Sequence, residues 1–201
     1  MYKKIFITTI LILLSPAFAL DYSGDFSQRS VIMKSIYNEP EISQDEKDIL
    51  TQKKLYPSVQ RMIEEIKKGN YENTELLLKA KVDPNRSYMS DYPIYIASKY
   101  NKTEIAKLLI QYGAKLDMGF YSELYEAVKN KNAELAQYLI DKGAKVNYQD
   151  AVTGNTILYL SLKNNMHDIS RQLMLKGAKA DKLSVRYIQK HKPLKLIENT
   201  D

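Results

Sequence analysis

LLIQYGAKLD at 108–117, YLIDKGAKVN at 138–147 and QLMLKGAKAD at 172–181 are three versions of one phrase. Their glycines, Gly113, Gly143 and Gly177, stand 30 and then 34 residues apart, and a worn version, LLLKAKVDPN at 76–85, puts Lys81 in the glycine position. A period of about 33 residues marks stacked supersecondary units, each too small to bury its own apolar face. In and just ahead of the phrases the apolar residues recur at helical spacing: Ile105, Leu108 and Leu109 in one unit, Leu135, Leu139 and Ile140 in the next. A glycine just past such a helix supplies the left-handed residue that ends it at little steric cost.

About 20 residues upstream of each phrase a second element recurs: YPIYIA at 92–97, SELYEA at 122–127 and TILYLS at 156–161. Turn, helix, short turn, helix, loop is the order that results, and at these residues the chain resembles the ankyrin-repeat family. The family's T-P-L-H-x-A opening falls on Tyr92 to Ala97, Ser122 to Ala127 and Thr156 to Ser161, and its mid-repeat glycine on Gly69, Asn101, Lys131 and Asn165. The acidic–apolar pair that follows is Glu104-Ile105 and Glu134-Leu135, with weaker versions at Asp168-Ile169 and Glu72-Asn73. Two departures stand out. The family's histidine is Tyr95, Tyr125 and Tyr159 here, and its proline survives only at Pro93.

The resemblance covers residues 58–181, about three-fifths of the chain, in repeats at about 58–85, 86–117, 118–147 and 148–181. It implies an all-α solenoid of about four helix-turn-helix repeats with short β-turn loops and helical caps at both ends. Phase places inner helices at about 58–68, 93–100, 123–130 and 157–164, and outer helices at about 71–80, 103–112, 133–142 and 167–176. Between Gly113 and Ser122 the chain is about three residues short, so the β-turn finger there is expected to be clipped, while the Gly143–Thr156 connection has one residue too many.

Both flanks carry their own signals. Lys3 and Lys4, the apolar run Ile5 to Leu14 and Ala17-Phe18-Ala19 read as an export signal over 1–19, cleaved after Ala19. The apolar run is about 10 residues, half of what a membrane-spanning helix needs. Residues 20–57 form an N-terminal segment: polar at first, then a capping box, Ser43-Gln44-Asp45-Glu46, opening a helix to about Lys54 with Ile49, Leu50 and Leu55 as its contacts. After Asp181, a closing helix over Leu183 to Lys190 carries Val185, Tyr187 and Ile188, within a C-terminal stretch 182–201 that Pro193 terminates.

Composition narrows the function. The chain has no cysteine, so neither a disulfide nor a lipid-modified cysteine is available to it. Its 30 Lys+Arg against 24 Asp+Glu give +6, and removing Lys3 and Lys4 leaves 28 − 24 = +4. That balance, with export, argues against a nucleic-acid partner. The two histidines, His167 and His191, have no Cys, Asp or Glu at metal-ligand spacing, and no GxSxG elbow, P-loop or GxGxxG is present. No enzyme activity, cofactor or metal is expected.

What remains is a patterned surface. Lys67, Lys99, Lys129 and Lys163 stand two residues before the mid-repeat position in successive repeats, with Tyr100, Asn130 and Asn164 beside three of them. In the ankyrin family this site faces the binding groove, so the resemblance implies a positive column there. The competing reading is solvated lysines, favoured at the negative end of each helix. Sixteen tyrosines and no tryptophan add a second signal. Tyr88 with Met89, Phe120 with Tyr121, and Tyr148 fall on the turns, where amphipathic rings suit an interface, although compositional bias also supplies tyrosines. The expected function is a non-enzymatic, protein-binding module of the bacterial periplasm, monomeric alone. It would capture an acidic partner as an adaptor or as a neutraliser of a toxin or enzyme. A secreted effector that binds host proteins is the other reading.

Overall fold

The computed structural model describes residues 43–191; the export-signal stretch 1–19, residues 20–42 and the tail 192–201 with Pro193 lie outside the described residues. Ten α-helices and no extended strand occur among them. The first, α1 (Gln44–Gln52), opens with the expected capping box: the Glu46 N–H donates to Ser43 Oγ and the Ser43 N–H to Glu46 Oε2, each at 3.2 Å. Leu50 and Leu55 are buried, but Ile49 is 37% exposed, contrary to expectation. Among the described residues α1 packs against α3 on one side, which covers a single apolar stripe, and Ile49 lies off it.

Four inner–outer helix pairs follow: α2 (Val59–Lys68) with α3 (Tyr71–Lys79), α4 (Pro93–Lys99) with α5 (Thr103–Gln111), α6 (Glu123–Lys129) with α7 (Ala133–Asp141), and α8 (Ile157–Lys163) with α9 (His167–Leu175). These agree with the sequence phase to within about one residue at each end. Hydroxyl side chains start three of the inner helices. Ser58, Ser122 and Thr156 accept from the N–H groups of Arg61, Tyr125 and Tyr159, satisfying one orphan donor apiece. Helix α4 has no such cap at Tyr92; Pro93 instead removes one of the unpaired donors and presets φ.

Every mid-repeat position is left-handed, whether or not it is glycine: Gly69 at φ 80°, Asn101 at 56°, Lys131 at 57° and Asn165 at 57°. Gly113, Gly143 and Gly177 end the outer helices at φ 86°, 85° and 87°, and Lys81 adopts 61° in the worn copy. The geometry of the fold is thus kept where the favourable residue is not, at a cost of about 1–2 kcal/mol per non-glycine residue.

The core runs along the stack. Met62, Ile66, Leu77, Ile96, Leu109, Leu124, Leu135, Leu139 and Leu158 are all fully or almost fully buried, and they form part of one continuous cluster. Asparagine and aspartate staple successive loops. Asn85 donates to Gly113 O and accepts from the Lys115 N–H, Asp117 accepts from the Lys145 N–H, and Asn147 bonds Gly177 O and the Lys179 N–H. On the opposite edge Asn130 Nδ2 donates to the last carbonyls of α4, at Ser98 and Lys99, and Asn164 Nδ2 donates to Val128 O of α6. Ser98 O and Val128 O also accept from the Asn101 and Lys131 N–H groups, so the next repeat adds a further donor to carbonyls at the helix C-terminus.

Isolated β-bridges form at Tyr88–Asp91 and Gln149–Thr156, the bases of two fingers. Between Gly113 and Ser122 there is none, as the missing residues required. The last helix, α10 (Lys182–His191), is started by Asp181, whose Oδ1 accepts from both the N–H and the hydroxyl of Ser184. Tyr187 and Ile188 lean on the core, whereas Val185 is exposed and Ser184 holds the buried position. The helix is thus tied down by its polar cap at Asp181 together with Tyr187 and Ile188, and Val185 takes no part.

Candidate functional site

The lysines Lys67, Lys99, Lys129 and Lys163 lie at the C-terminal ends of α2, α4, α6 and α8, all exposed and in one row across the inner-helix face. Each sits where backbone carbonyls converge, and a cation is favoured there. Their surroundings differ. Lys67 Nζ stands 5.8 Å above the ring of Tyr100, reaching across to the next repeat, and Lys99 Nζ stands 5.5 Å above the ring of Tyr95. Lys129 pairs with Glu126 at 3.3 Å, and Lys163 makes no ion pair among the described residues. The row is therefore unbroken in position but tempered in charge at the third repeat.

The aromatic residues fall into two groups. Tyr121 stacks on Tyr95 with ring centroids 5.1 Å apart, and Tyr148 meets Tyr125 edge-on at 5.3 Å. Tyr159 is met in the same manner by Tyr187 of α10 at 6.3 Å. The tyrosines in the family's histidine position are thus each covered by a ring from the next unit, a repeat for Tyr95 and Tyr125 and the closing helix for Tyr159. Tyr121 and Tyr148 serve the stack as well as any partner. Tyr88 is half-buried against the core at the base of its finger. By contrast, Met89 is 81% exposed and Phe120 is 88% exposed. Lone exposed apolar side chains need no explanation, but these two stand on neighbouring loops together with Met118 and Tyr121.

Several residues escaped the sequence reading. Glu123 follows the Ser122 cap, in the slot the family gives to proline, and is only 1% exposed. The Asp117 N–H donates to its Oε2 at 3.2 Å, so the clipped loop folds down onto it. Burial, aided by the nearby Asp117 carboxylate, overcomes backbone hydrogen bonds and the Lys145 charge and pushes Glu123 up to about 7. Glu65, likewise buried, shows the opposite balance. Burial raises it, but hydrogen bonds from Lys68 and Asn73 and the charges of Lys68 and Arg61 hold it below the usual carboxylate range. No sequence signal marks either carboxylate, since their burial comes from loop packing and from a neighbouring helix.

Chemistry is sparse. No group of three His, Cys, Asp or Glu able to hold a metal ion occurs among the described residues, and none of their helices is long and apolar enough to cross a membrane. Ser98 Oγ and His167 Nδ1 are buried without hydrogen-bond partners, but they lie on different helices in different repeats.

A family model described as ankyrin repeats (3 copies) matches residues 62–150. Among solved structures, the crystal structure of the human ASB11 ankyrin repeat domain is similar to the chain, with 21% identity and a TM-score of 0.52. The alignment covers 60% of this chain and 56% of that one, so the chain spans just over half the length of that domain, and the likeness concerns the fold alone. None of the curated proteins matches. Ankyrin repeats are in general protein–protein interaction modules and typically non-enzymatic scaffolds; the family model over residues 62–150, together with the repeat register and the fold, supports an ankyrin-repeat protein.

Proposed function

We propose that the protein is an exported, monomeric binding module of the bacterial periplasm that captures an acidic partner protein, as an adaptor or as a neutraliser of a toxin or enzyme. The observation that carries this reading is the row Lys67, Lys99, Lys129 and Lys163 on the inner-helix face, in a chain whose nearby loops expose Met89 and Phe120. Charge in a row raises the rate of encounter with an acidic surface, and desolvated aromatic contacts slow release. Lys67 and Lys99, held over tyrosine rings, lose little side-chain freedom when a carboxylate arrives.

The test is capture from a periplasmic extract, followed by binding kinetics on the captured protein. Reversing two central charges, Lys99→Glu with Lys129→Glu, is expected to slow association and flatten its salt dependence; losing the Lys129–Glu126 pair lowers the melting midpoint, so association is compared at a temperature where both proteins are folded. Unchanged association in the double variant would remove the row from the mechanism. Export is checked separately by the intact mass of protein recovered from the periplasm, which is expected to begin at Leu20. A mass that retains residues 1–19 would overturn that part.

A further inference from the structure

The clipped connection from Asp117 to Ser122 has no bridge to close it, and it is held down by contacts to other elements instead. The Asp117 N–H donates to Glu123 Oε2 at 3.2 Å, and Asp117 Oδ2 accepts from the Lys145 N–H at 2.8 Å. Gly119 lies so close to the Tyr92 ring that a Cβ there would stand 3.1 Å from its Cδ2. Tyr121 stacks on Tyr95. Asp117 itself is left-handed at φ 56°, a conformation that a residue with a side chain keeps only when its surroundings impose it. This seated loop carries the exposed Phe120 and the half-exposed Tyr121.

Beneath it lies Glu123, 1% exposed, in a cleft with Tyr92, Tyr95, Gly119 and Tyr121 that is too tight for water. The low loop presents to it the Asp117 N–H and carboxylate, and the following loop presents the Lys145 charge. The rings of Tyr92 and Tyr95 come from the start of α4 and from its first turn. On its own helix Glu126 is paired with Lys129, and Glu126 and Asp91 both act on Tyr95. Burial first, and then those carboxylates, hold the Tyr95 hydroxyl well above its usual range, so this ring stays neutral while Glu123 titrates. An uncharged carboxylic acid suits such a dry cleft. A carboxylate there has two backbone N–H groups to accept from, its own and that of Asp117, and no water, with a like charge beside it.

We infer that Glu123 is a pH-operated latch: protonated, it keeps the 117–122 loop seated on Tyr92 and Tyr95, and its ionisation lifts the loop and parts Tyr121 from the stack. The inference rests on the loop's own geometry. To the binding-module reading it adds a control over how Phe120 and Tyr121 are presented. The sign follows from the two environments. In the lifted form the carboxyl meets water and titrates near 4.5, whereas in the seated form it titrates at about 7. Seating is therefore strongest below pH 4.5 and weakens tenfold per pH unit up to pH 7, about 300-fold in all.

Amide hydrogen exchange of the protein, measured by NMR between pH 4.5 and 8, tests this once each rate is divided by that of a free amide at the same pH. The Asp117 and Lys145 N–H groups report seating, because each is bonded to a partner that the lifted loop would lose. The amides of Leu109 and Leu139, inside α5 and α7, report opening of the whole stack. The two loop amides are expected to be less protected than the two core amides. Their protection should fall about 300-fold from pH 4.5 to 7 and then level off. In Glu123→Gln it should stay flat. Flat protection in the parent would overturn the latch. So would loop amides that match Leu109 and Leu139 at every pH, since the loop would then open only with the whole stack. An equal fall in Glu123→Gln would overturn it too, by assigning the response to another group. If the variant does not fold, the parent profile decides alone. The lysine row is tested separately, by association rates with a captured partner, so either reading can fail without the other.

Discussion

Glu123→Gln isolates one buried carboxyl whose protonation and fold are linked. In the unfolded chain the group titrates near its ordinary value of 4.5; in the fold, burial first and the Asp117 charge second push it up to about 7. Between those two values the folded protein keeps a proton that the unfolded chain has released. Stability must then fall as pH rises through that window, because the native state binds more protons. The difference of roughly two and a half pH units corresponds to about 3 kcal/mol, fully present below pH 4.5 and lost above pH 7. Glutamine keeps the oxygen that accepts from the Asp117 N–H but cannot ionise. Its extra N–H group costs up to about 1–3 kcal/mol if left unpaired, a cost that is the same at every pH. The expected result is that the variant gains about 3 kcal/mol on the parent between pH 4.5 and pH 8, on top of that constant offset. Urea denaturation at pH 4.5, 6 and 8 measures it. Glu65 does not confuse the comparison: its value is lowered, so its contribution is present above the ordinary carboxylate range and lost only as pH falls below it. Parallel pH profiles for parent and variant between pH 5 and 8 would show that the loop does not bury Glu123 as described.

Further outcomes follow from the packing. Leu109→Ala and Leu139→Ala each open a cavity at a fully buried site between neighbouring repeats and should cost about 2–5 kcal/mol, read as a lower urea midpoint. An unshifted midpoint would refute the repeat register. Lys131→Gly should stabilise by about 0.5–1 kcal/mol, because relief at φ 57° exceeds the extra flexibility that glycine brings to the unfolded chain. A loss of stability would mean that the lysine side chain holds this turn through contacts of its own.

The helices were legible because the phrase repeats. Gly113, Gly143 and Gly177 register three copies against one another, so each helix end is read several times over. Single-copy elements were less secure. In α1 and α10, which lie at the ends of the stack, the apolar face had no second copy to align with, and Ile49 and Val185 turned outward. The lysine row was visible because it obeys the period, but its tempering by Glu126 was not, because that pair is unique to one repeat. The turn tyrosines were visible as residues and not as partners. Tyr121 and Tyr148 meet rings 26 and 23 residues earlier in the chain, and only the course of the intervening loops brings them there. Glu123 and the low loop folded onto it were the least legible. They come from residues that are absent from a loop, and a short connection states that something is missing without saying what it uncovers.

The paired tyrosine rings also give the molecule a built-in optical readout. The chain has no tryptophan, so its near-ultraviolet signal is left to tyrosine and phenylalanine, and three tyrosine pairs sit at successive junctions: Tyr95 with Tyr121, Tyr125 with Tyr148, and Tyr159 with Tyr187. In a linear array the units are coupled only to their neighbours, and such stacks can open from one end. Fixed asymmetric ring packing is what near-ultraviolet dichroism detects and what a loosened tertiary structure loses. Each of these three junctions therefore carries its own chromophore pair, and peeling from the C-terminal end would extinguish Tyr159–Tyr187 first, while Tyr95–Tyr121 kept its signal.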